Sequence, residues 1–320
     1  MNDELLSRIA ETLYWTGRYV ERADDTARIV DVYVHSMLGE PAARVASGCG
    51  ALLGILGVAS REEAALDIGT ALFQLVYDPK SPSAIAGSIL SARAGARGIR
   101  EVMSSEMWEC LNVTAHGLPA QRRTADRLGP HGYLRFVRER AALFFGLADE
   151  TMSRDDAWHF LLLGRALERV DMTARLLLAG LATREEGPAP AGEGEAMVLR
   201  ACGAHESFIR THGWSARPSK ATEFLLLDRL FPRSVLHTLA SAEECLTALR
   251  PGPARTEAHD PARRPIGRVR TRLEYADPQT LTRQLPELLS ALQRACVEAN
   301  EAITALYFQY EALVAWAREG

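Results

Sequence analysis

Paired cysteines are missing from this chain. Its five, Cys49, Cys110, Cys202, Cys245 and Cys296, are widely scattered, odd in number and form no C-x-x-C. A disulfide framework is thereby excluded, and buried thiols in a reducing, cytoplasmic setting are the expectation. Long apolar runs are missing too. The longest, such as Phe160–Leu163 and Phe224–Leu227, fall far short of the roughly 20 residues that cross a bilayer. The opening MNDELLSRIAETLYW has no basic n-region and no apolar h-region, so it reads as an amphipathic helix and not as a signal peptide. Charge of one sign is not in excess either. A formal net charge of −4 gives no electrostatic footprint for nucleic acid or an anionic membrane. Lysine is nearly absent: only Lys80 and Lys220 interrupt a basic set made of arginine, the side chain suited to bidentate pairing with carboxylates and phosphates.

Recognisable catalytic motifs are lacking as well. Neither G-x-x-x-x-G-K-[ST] nor G-x-G-x-x-G occurs, and Gly17 and Gly164 fall inside helical patterns, so no phosphate loop is present. There is no nucleophile elbow. His35, His116, His131, His205, His212, His237 and His259 have no metal-ligand spacing, and His159 aligns with Thr12 in the repeat described below. A satisfied, partly buried histidine is expected there. No cofactor is expected.

What the chain does have is helical periodicity. With 47% hydrophobic residues in 320, a sizeable core is available. Apolar side chains recur at the 3.6-residue period and no alternating strand with hairpin signals appears, which predicts a single all-α domain over 1–320, a large helical bundle. In residues 4–38, Ile9, Leu13, Val20, Ala27 and Val34 fall on one stripe. Further helices are expected over about 50–77, after Asp78-Pro-Lys-Ser-Pro-Ser83, from Ser104 or Ser105, and over 131–148, with a looser stretch at 116–130 between the last two. A long helix follows at 154–183. Others are expected at 196–211, 218–230 and 232–249, with Pro232 at a first helical position, and a last one at 279–318. Segments 184–195 and 251–272, rich in Pro, Gly and polar residues, read as surface loops.

The strongest signal is an internal repeat. Gly17-Arg-Tyr-Val-Glu-Arg-Ala-Asp-Asp-Thr-Ala-Arg28 aligns without a gap with Gly164-Arg-Ala-Leu-Glu-Arg-Val-Asp-Met-Thr-Ala-Arg175, and both read G-R-x-x-E-R-x-D-x-T-A-R. At about 100° per residue, Arg18, Glu21 and Arg28 share a face opposite the Ile9/Val20/Ala27 stripe, as Arg165, Glu168 and Arg175 do in the second copy. Leu161, Leu162, Met172 and Leu176 interleave that polar stripe, and Tyr14, Trp15 and Ile29 surround the first copy. A solvated face does not carry so many large apolar residues, so both helices are covered on two sides and the charges are at least partly buried. Buried charges must be paired. Arg18–Glu21 and Arg165–Glu168 have i, i+3 spacing for local pairs, while two copies of one helix invite pairing across a pseudo-two-fold axis. Gly17/Gly164 and Ala27/Ala174 are small enough for close approach.

Three readings compete for this constellation. It is a structural ion-pair network that fixes helix register. Alternatively, Arg18, Glu21, Arg22, Arg28, Arg165, Glu168, Arg169 and Arg175 form a pocket for a zwitterionic or anionic small molecule, with arginines on carboxylate or phosphate and glutamates on an amine. In the third, Glu21/Asp24 and Glu168/Asp171 hold Mg²⁺. The flanking arginines oppose a dication, and the Glu-x-x-His of di-iron bundles is absent.

These residues also carry a resemblance. The opening LLSRIAETLYWTGRYVERADDTARIVDV, then DPKSPSAI, SARAGARGIREVMSSEMWECLN, WHFLLLGRALERVDMTARLL and FLLLDRLFPRSV occur in an order that resembles the bacterial Alpha-E domain family across most of 4–240. Asp78-Pro79 stands where that family usually has Asn-Pro. The resemblance implies an all-α fold of unassigned activity, with the family's E-R motif at Glu21-Arg22 and Glu168-Arg169. It further implies a circularly permuted ATP-grasp protein as partner, possibly with a transglutaminase-like peptidase, and hence amide-bond formation on amino acids or peptides. Against this stand a non-catalytic scaffold that docks the ATP-grasp partner and, last, an Mg²⁺-dependent enzyme on phosphorylated substrates. Three minor candidates remain. Arg93, Arg97 and Arg100 lie on one helix face and are expected to pair with Glu101 and Glu106. Trp108 and Trp158 read as core anchors. Arg217, Lys220 and Arg233 are placed to line a pocket mouth.

Overall fold

A computed structural model describes residues 3–59, 66–185, 193–213, 218–249, 260–277, 281 and 283–308. Its described residues form helices and no strands, an all-α bundle. The helices are α1 (Asp3–Ser36), α2 (Ala42–Ile55), α3 (Ile68–Leu72, continued by a π-helical turn, Phe73–Tyr77), α4 (Ile85–Arg97), α5 (Ser105–Leu128), α6 (His131–Thr151) and α7 (Asp156–Glu185). They continue as α8 (Glu193–Ala201), α9 (His205–His212), α10 (Pro218–Leu227), α11 (Val235–Ala248), α12 (Arg263–Glu274) and α13 (Leu285–Tyr307). No helix among the described residues is long and apolar enough to cross a membrane.

The two repeat-bearing helices, α1 and α7, pack on each other at the centre. Around α1 come α4, then α5 on α4, α6 on α5, and α6 back against α1; around α7 come α11, α12, α13, and α13 back against α7. Leu13, Tyr14, Ala23 and Ala27 of α1 and Leu161, Leu163, Val170 and Ala174 of α7 are buried, because each helix is enclosed by partners on several sides. What lets the pair approach is glycine. A Cβ on Gly17 would sit 2.1 Å from the Leu161 carbonyl oxygen, and one on Gly164 would sit 2.0 Å from the Tyr14 carbonyl oxygen. Only hydrogen fits at either crossing point.

Several boundaries differ from the sequence expectation. The looser stretch at 116–130 is helix through Leu128, with Pro119 inside α5. Thr114, Ala115, Leu118 and Ala125 are buried on the face toward α6, and this packing outweighs the local cost of Gly117 and Pro119. Within the segment read as loop at 251–272, residues 263–274 form α12. Its stripe is thin, Pro265, Ile266, Val269 and Leu273, and is masked in composition by arginines that turn out to be paired: Arg263 donates from Nε to Glu243 of α11 at 3.0 Å, and Arg270 binds the same carboxylate. Residues 186–192 and 250–259, parts of the two expected loops, lie outside the described residues. The helix expected at 196–211 is broken at Gly203, which has φ +62°. Pro232 precedes the helix start, where Ser234 caps α11 by accepting from the His237 N–H at 3.2 Å. The segment expected as one helix over 50–77 divides into α2, α3 and the π turn.

Substituting Gly17 or Gly164 by alanine forces backbone apart at the central crossing. Overpacking of this kind costs about 1–3 kcal/mol or more. We therefore expect a fall in the thermal midpoint for either variant and a larger fall for the pair, measured by circular dichroism; unchanged midpoints would show that the crossing is not this tight.

Candidate functional site

The motif charges meet between α1 and α7, and they cross over. Arg18 donates from Nε to Glu168 Oε2 at 2.8 Å, and Arg22 from Nε to Oε1 at 2.6 Å and from Nη2 to Oε2 at 3.0 Å. In return, Arg169 donates from Nε to Glu21 Oε1 at 2.6 Å and Arg165 to Oε2 at 3.3 Å. The partners are thus on the opposite helix, and the local i, i+3 pairs Arg18–Glu21 and Arg165–Glu168 do not form. The glycine crossing puts each glutamate closer to the facing arginines than to its own. Both carboxylates are essentially sealed, Glu21 at 1% and Glu168 at 2% exposure.

The outer contacts match as well. Arg22 Nη1 reaches the Pro82 carbonyl at 3.3 Å, and Arg169 Nη1 the Pro232 carbonyl at 3.1 Å. Asp24 accepts from Arg28 at 3.0 Å and Asp171 from Arg175 at 2.8 Å, both i, i+4. Arg175 then rests against Gly57 and Arg28 against Gly203, two turns with positive φ where a Cβ would lie 2.6 and 2.8 Å from the guanidinium.

On one side the network closes on itself. Arg233, from the turn before α11, donates from Nη1 to Asp24 at 3.1 Å, sits 3.3 Å from Glu21 and binds Asp25. The sequence placed this arginine at a pocket mouth; it is instead the core partner of three buried acids. Of its two companions there, Lys220 pairs with Glu223 at 2.7 Å, and Arg217 lies outside the described residues. Ligand atoms of Glu21, Asp24 and Asp25 lie within 4.8 Å of one another, as a metal site would require. A cation already fills that role: a dication would have to displace the Arg233 guanidinium. The set proposed from sequence, Glu21, Asp24, Glu168 and Asp171, is shared out between arginines in the same way.

The other side stays open. A cavity of about 200 Å³ is walled by Arg18, Arg22, Glu168, Asp171 and Arg175, with Thr26, Leu56, Gly57, Ser83 and Met172 completing the lining. Four of the eight sequence-predicted residues, Arg18, Arg22, Glu168 and Arg175, therefore face one cavity; Glu21, Arg28, Arg165 and Arg169 belong to the closed side. Sequence reasoning missed Asn300 of α13, whose Oδ1 accepts from both the Tyr14 hydroxyl at 2.7 Å and Arg18 Nη1 at 2.9 Å. The available signal was a polar residue in the apolar stripe of Cys296, Ala299 and Ile303.

Burial raises the cost of charging these acids, yet the guanidinium groups win at the two glutamates. Against desolvation, Arg169, Arg233 and Arg165 hold Glu21 far below the ordinary carboxylate range, and Arg22 and Arg18 hold Glu168 below it. Asp171 goes the other way: burial pushes its carboxyl up, with Glu168 adding to the push against Arg175. The minor candidates fare differently. Arg93 donates to Asn112 at 2.8 Å, and Arg93 and Arg100 lie over Trp108, so they do not pair with Glu101 or Glu106. Trp108 and Trp158 are half-buried platforms under arginines, not sealed anchors. His159 is not satisfied as expected: its Nδ1 is buried without a hydrogen-bond partner.

Removing one acid from this network leaves buried cations uncompensated, at a cost of about 3–5 kcal/mol. Glu21→Gln is expected to lower unfolding free energy by that order in urea titration, and a Glu21/Arg169 double-mutant cycle to give favourable coupling; zero coupling would contradict the crossed pairing. The pH dependence has a fixed sign. Because the folded-state pKa of Glu21 lies below the ordinary value of 4.5, its contribution is complete above that pH and is lost as pH falls toward the folded value. Urea midpoints should therefore drop more steeply below about pH 4.5 in the parent protein than in Glu21→Gln.

Comparison with known proteins is consistent with this picture. Curated relatives include three uncharacterised proteins, one from Mycobacterium bovis and two from Mycobacterium tuberculosis strains, each 24% identical over 93% of this chain. The chain spans little more than a third of their length, 36% in each. No solved structure matches. Residues 5–308 match a family described as a predicted alpha-helical domain with a conserved ER motif; the chain belongs to the Alpha-E family.

Proposed function

We propose that this protein is the substrate-binding component of an ATP-dependent system that forms amide bonds on amino acids or peptides, and that the cavity beside Glu168 receives the substrate. The single observation that carries the reading is this cavity: three guanidinium groups and two carboxylates wall a recess that their mutual pairing leaves open. Arginine forks at the edge of a low-dielectric recess suit a carboxylate, and acids beside them suit an amine. A purely architectural network would be expected to fill its own space, as the Arg233 side does. The matched contacts of the two motif copies support a pseudo-two-fold duplication in which one half has kept room for a ligand.

The partner in this reading is a circularly permuted ATP-grasp protein, with a transglutaminase-like peptidase as a further associate. Relatives in which this region is 36% of a longer chain suit a domain that works beside others. Five free, buried cysteines suit the cytoplasm. A scaffold role has one observation in its favour: on the Glu21 side every motif charge is consumed by another side chain.

The test combines the purified protein with a circularly permuted ATP-grasp protein of the same organism and follows amino-acid-dependent ATP hydrolysis. Arg175→Gln removes a partly exposed cavity arginine whose only ion pair among the described residues is an i, i+4 contact, worth about 0.3–0.5 kcal/mol. We expect at least a tenfold loss of stimulated turnover, about 1.4 kcal/mol, with thermal unfolding nearly unchanged. Full turnover in the variant would remove the cavity from the mechanism, and no stimulation by the parent protein would remove the partner.

A further inference from the structure

The two sides of the network differ by a matched pair of residues. The turns before α4 and α11 hold the same station, since the Pro82 carbonyl accepts from Arg22 and the Pro232 carbonyl from Arg169. The next residue is Ser83 in the first turn and Arg233 in the second. Arg233 lies among Glu21, Asp24 and Asp25. The positions answering those acids across the repeat are Glu168, Asp171 and Met172. Relative to the closed side, the cavity therefore lacks one cation and one anion together. What fills the closed side is a guanidinium bound to a carboxylate, a unit of no net charge. Where that unit is missing, about 200 Å³ stands open between acids and arginines.

We propose that the cavity binds a free α-amino acid as its zwitterion, with Arg233 and Asp25 serving as the built-in equivalent on the other side. The ligand's ammonium takes the place between Glu168 and Asp171 that the Arg233 guanidinium takes between Glu21 and Asp24. Its carboxylate faces Arg22 in the cavity wall. Thr26 supplies an independent sign of a ligand. Thr26 lines the cavity, is 1% exposed, and its buried hydroxyl has no hydrogen-bond partner. A buried polar group is ordinarily paired, so a small turn of this side chain toward a bound acceptor would complete it. Met172 and Leu56 offer the apolar contact for a side chain. An ammonium beside Asp171 also offsets the burial that pushes its carboxyl up. Ser83 and Met172 are, on this account, the residues that keep the site open.

This inference rests on the cavity being the substrate site, and the experiment separates the two. The twenty common L-amino acids are screened individually by thermal shift, and any that stabilise are titrated by calorimetry beside their N-acetyl and methyl ester derivatives. One site per chain is expected, with each derivative bound at least about tenfold more weakly, the cost of about one charged hydrogen bond. Ser83→Arg abolishes binding. The double variant Ser83→Arg/Met172→Asp, which rebuilds the closed pair and so guards against misfolding of the single change, abolishes it too while raising the thermal midpoint. Binding retained in a folded Ser83→Arg/Met172→Asp protein overturns the placement. An N-acetyl derivative bound as tightly as the parent amino acid overturns the zwitterion but leaves an anion-binding cavity. No binding by any amino acid or derivative overturns both.

Discussion

Everything in this fold is arranged around two carboxylates that have been taken out of water. Glu21 and Glu168 have no solvent to fall back on, so each must be held by guanidinium groups at hydrogen-bond distance. Those groups come from the facing helix, which fixes the separation, the register and the rotation of α1 against α7 at once. Gly17 and Gly164 are the counterpart of that demand, because arginines of ordinary reach cross to the other helix only if the backbones nearly touch. The outer helices then have a rigid pair to pack on.

Saturation of the network is unequal. Arg233 closes one side with three acids, whereas Ser83 leaves the other walled but unfilled. Identical requirements of charge pairing thus give a filled core on one face and a recess on the other.

The helical class and the two long motif helices were legible from periodicity and from the gap-free repeat. Burial of the charges was legible as well, since Leu161, Leu162, Met172 and Leu176 could not share a wet face with Arg165 and Glu168. The partners were legible in part: the duplication invited pairing between the two helices, and Arg165 does reach Glu21, but spacing left the local pairs open as well. Spacing allows Arg18 to reach Glu21, and only the glycine crossing makes Glu168 the nearer acid. The roles of Arg233, Ser83 and Asn300 depend on chain segments remote in sequence, which no local pattern records. The helix α12 escaped because its apolar stripe is outnumbered by arginines, two of which, Arg263 and Arg270, are paired with Glu243 and Glu274. The second half of helix α5 escaped because 116–130 shows no clear apolar period, while its buried face, packed against α6, holds the turns together.

Asn300 gives the C-terminal helix a role beyond covering the core. One side-chain oxygen on α13 is shared by the Tyr14 hydroxyl and the Arg18 guanidinium, so the last long helix of the described chain steadies a wall residue of the recess more than 280 positions away. Shifting α13 by even an ångström would force a choice between the two donors. Helix α13 is thereby mechanically geared to α1, and whatever presses on it has a direct lever on how Arg18 is aimed.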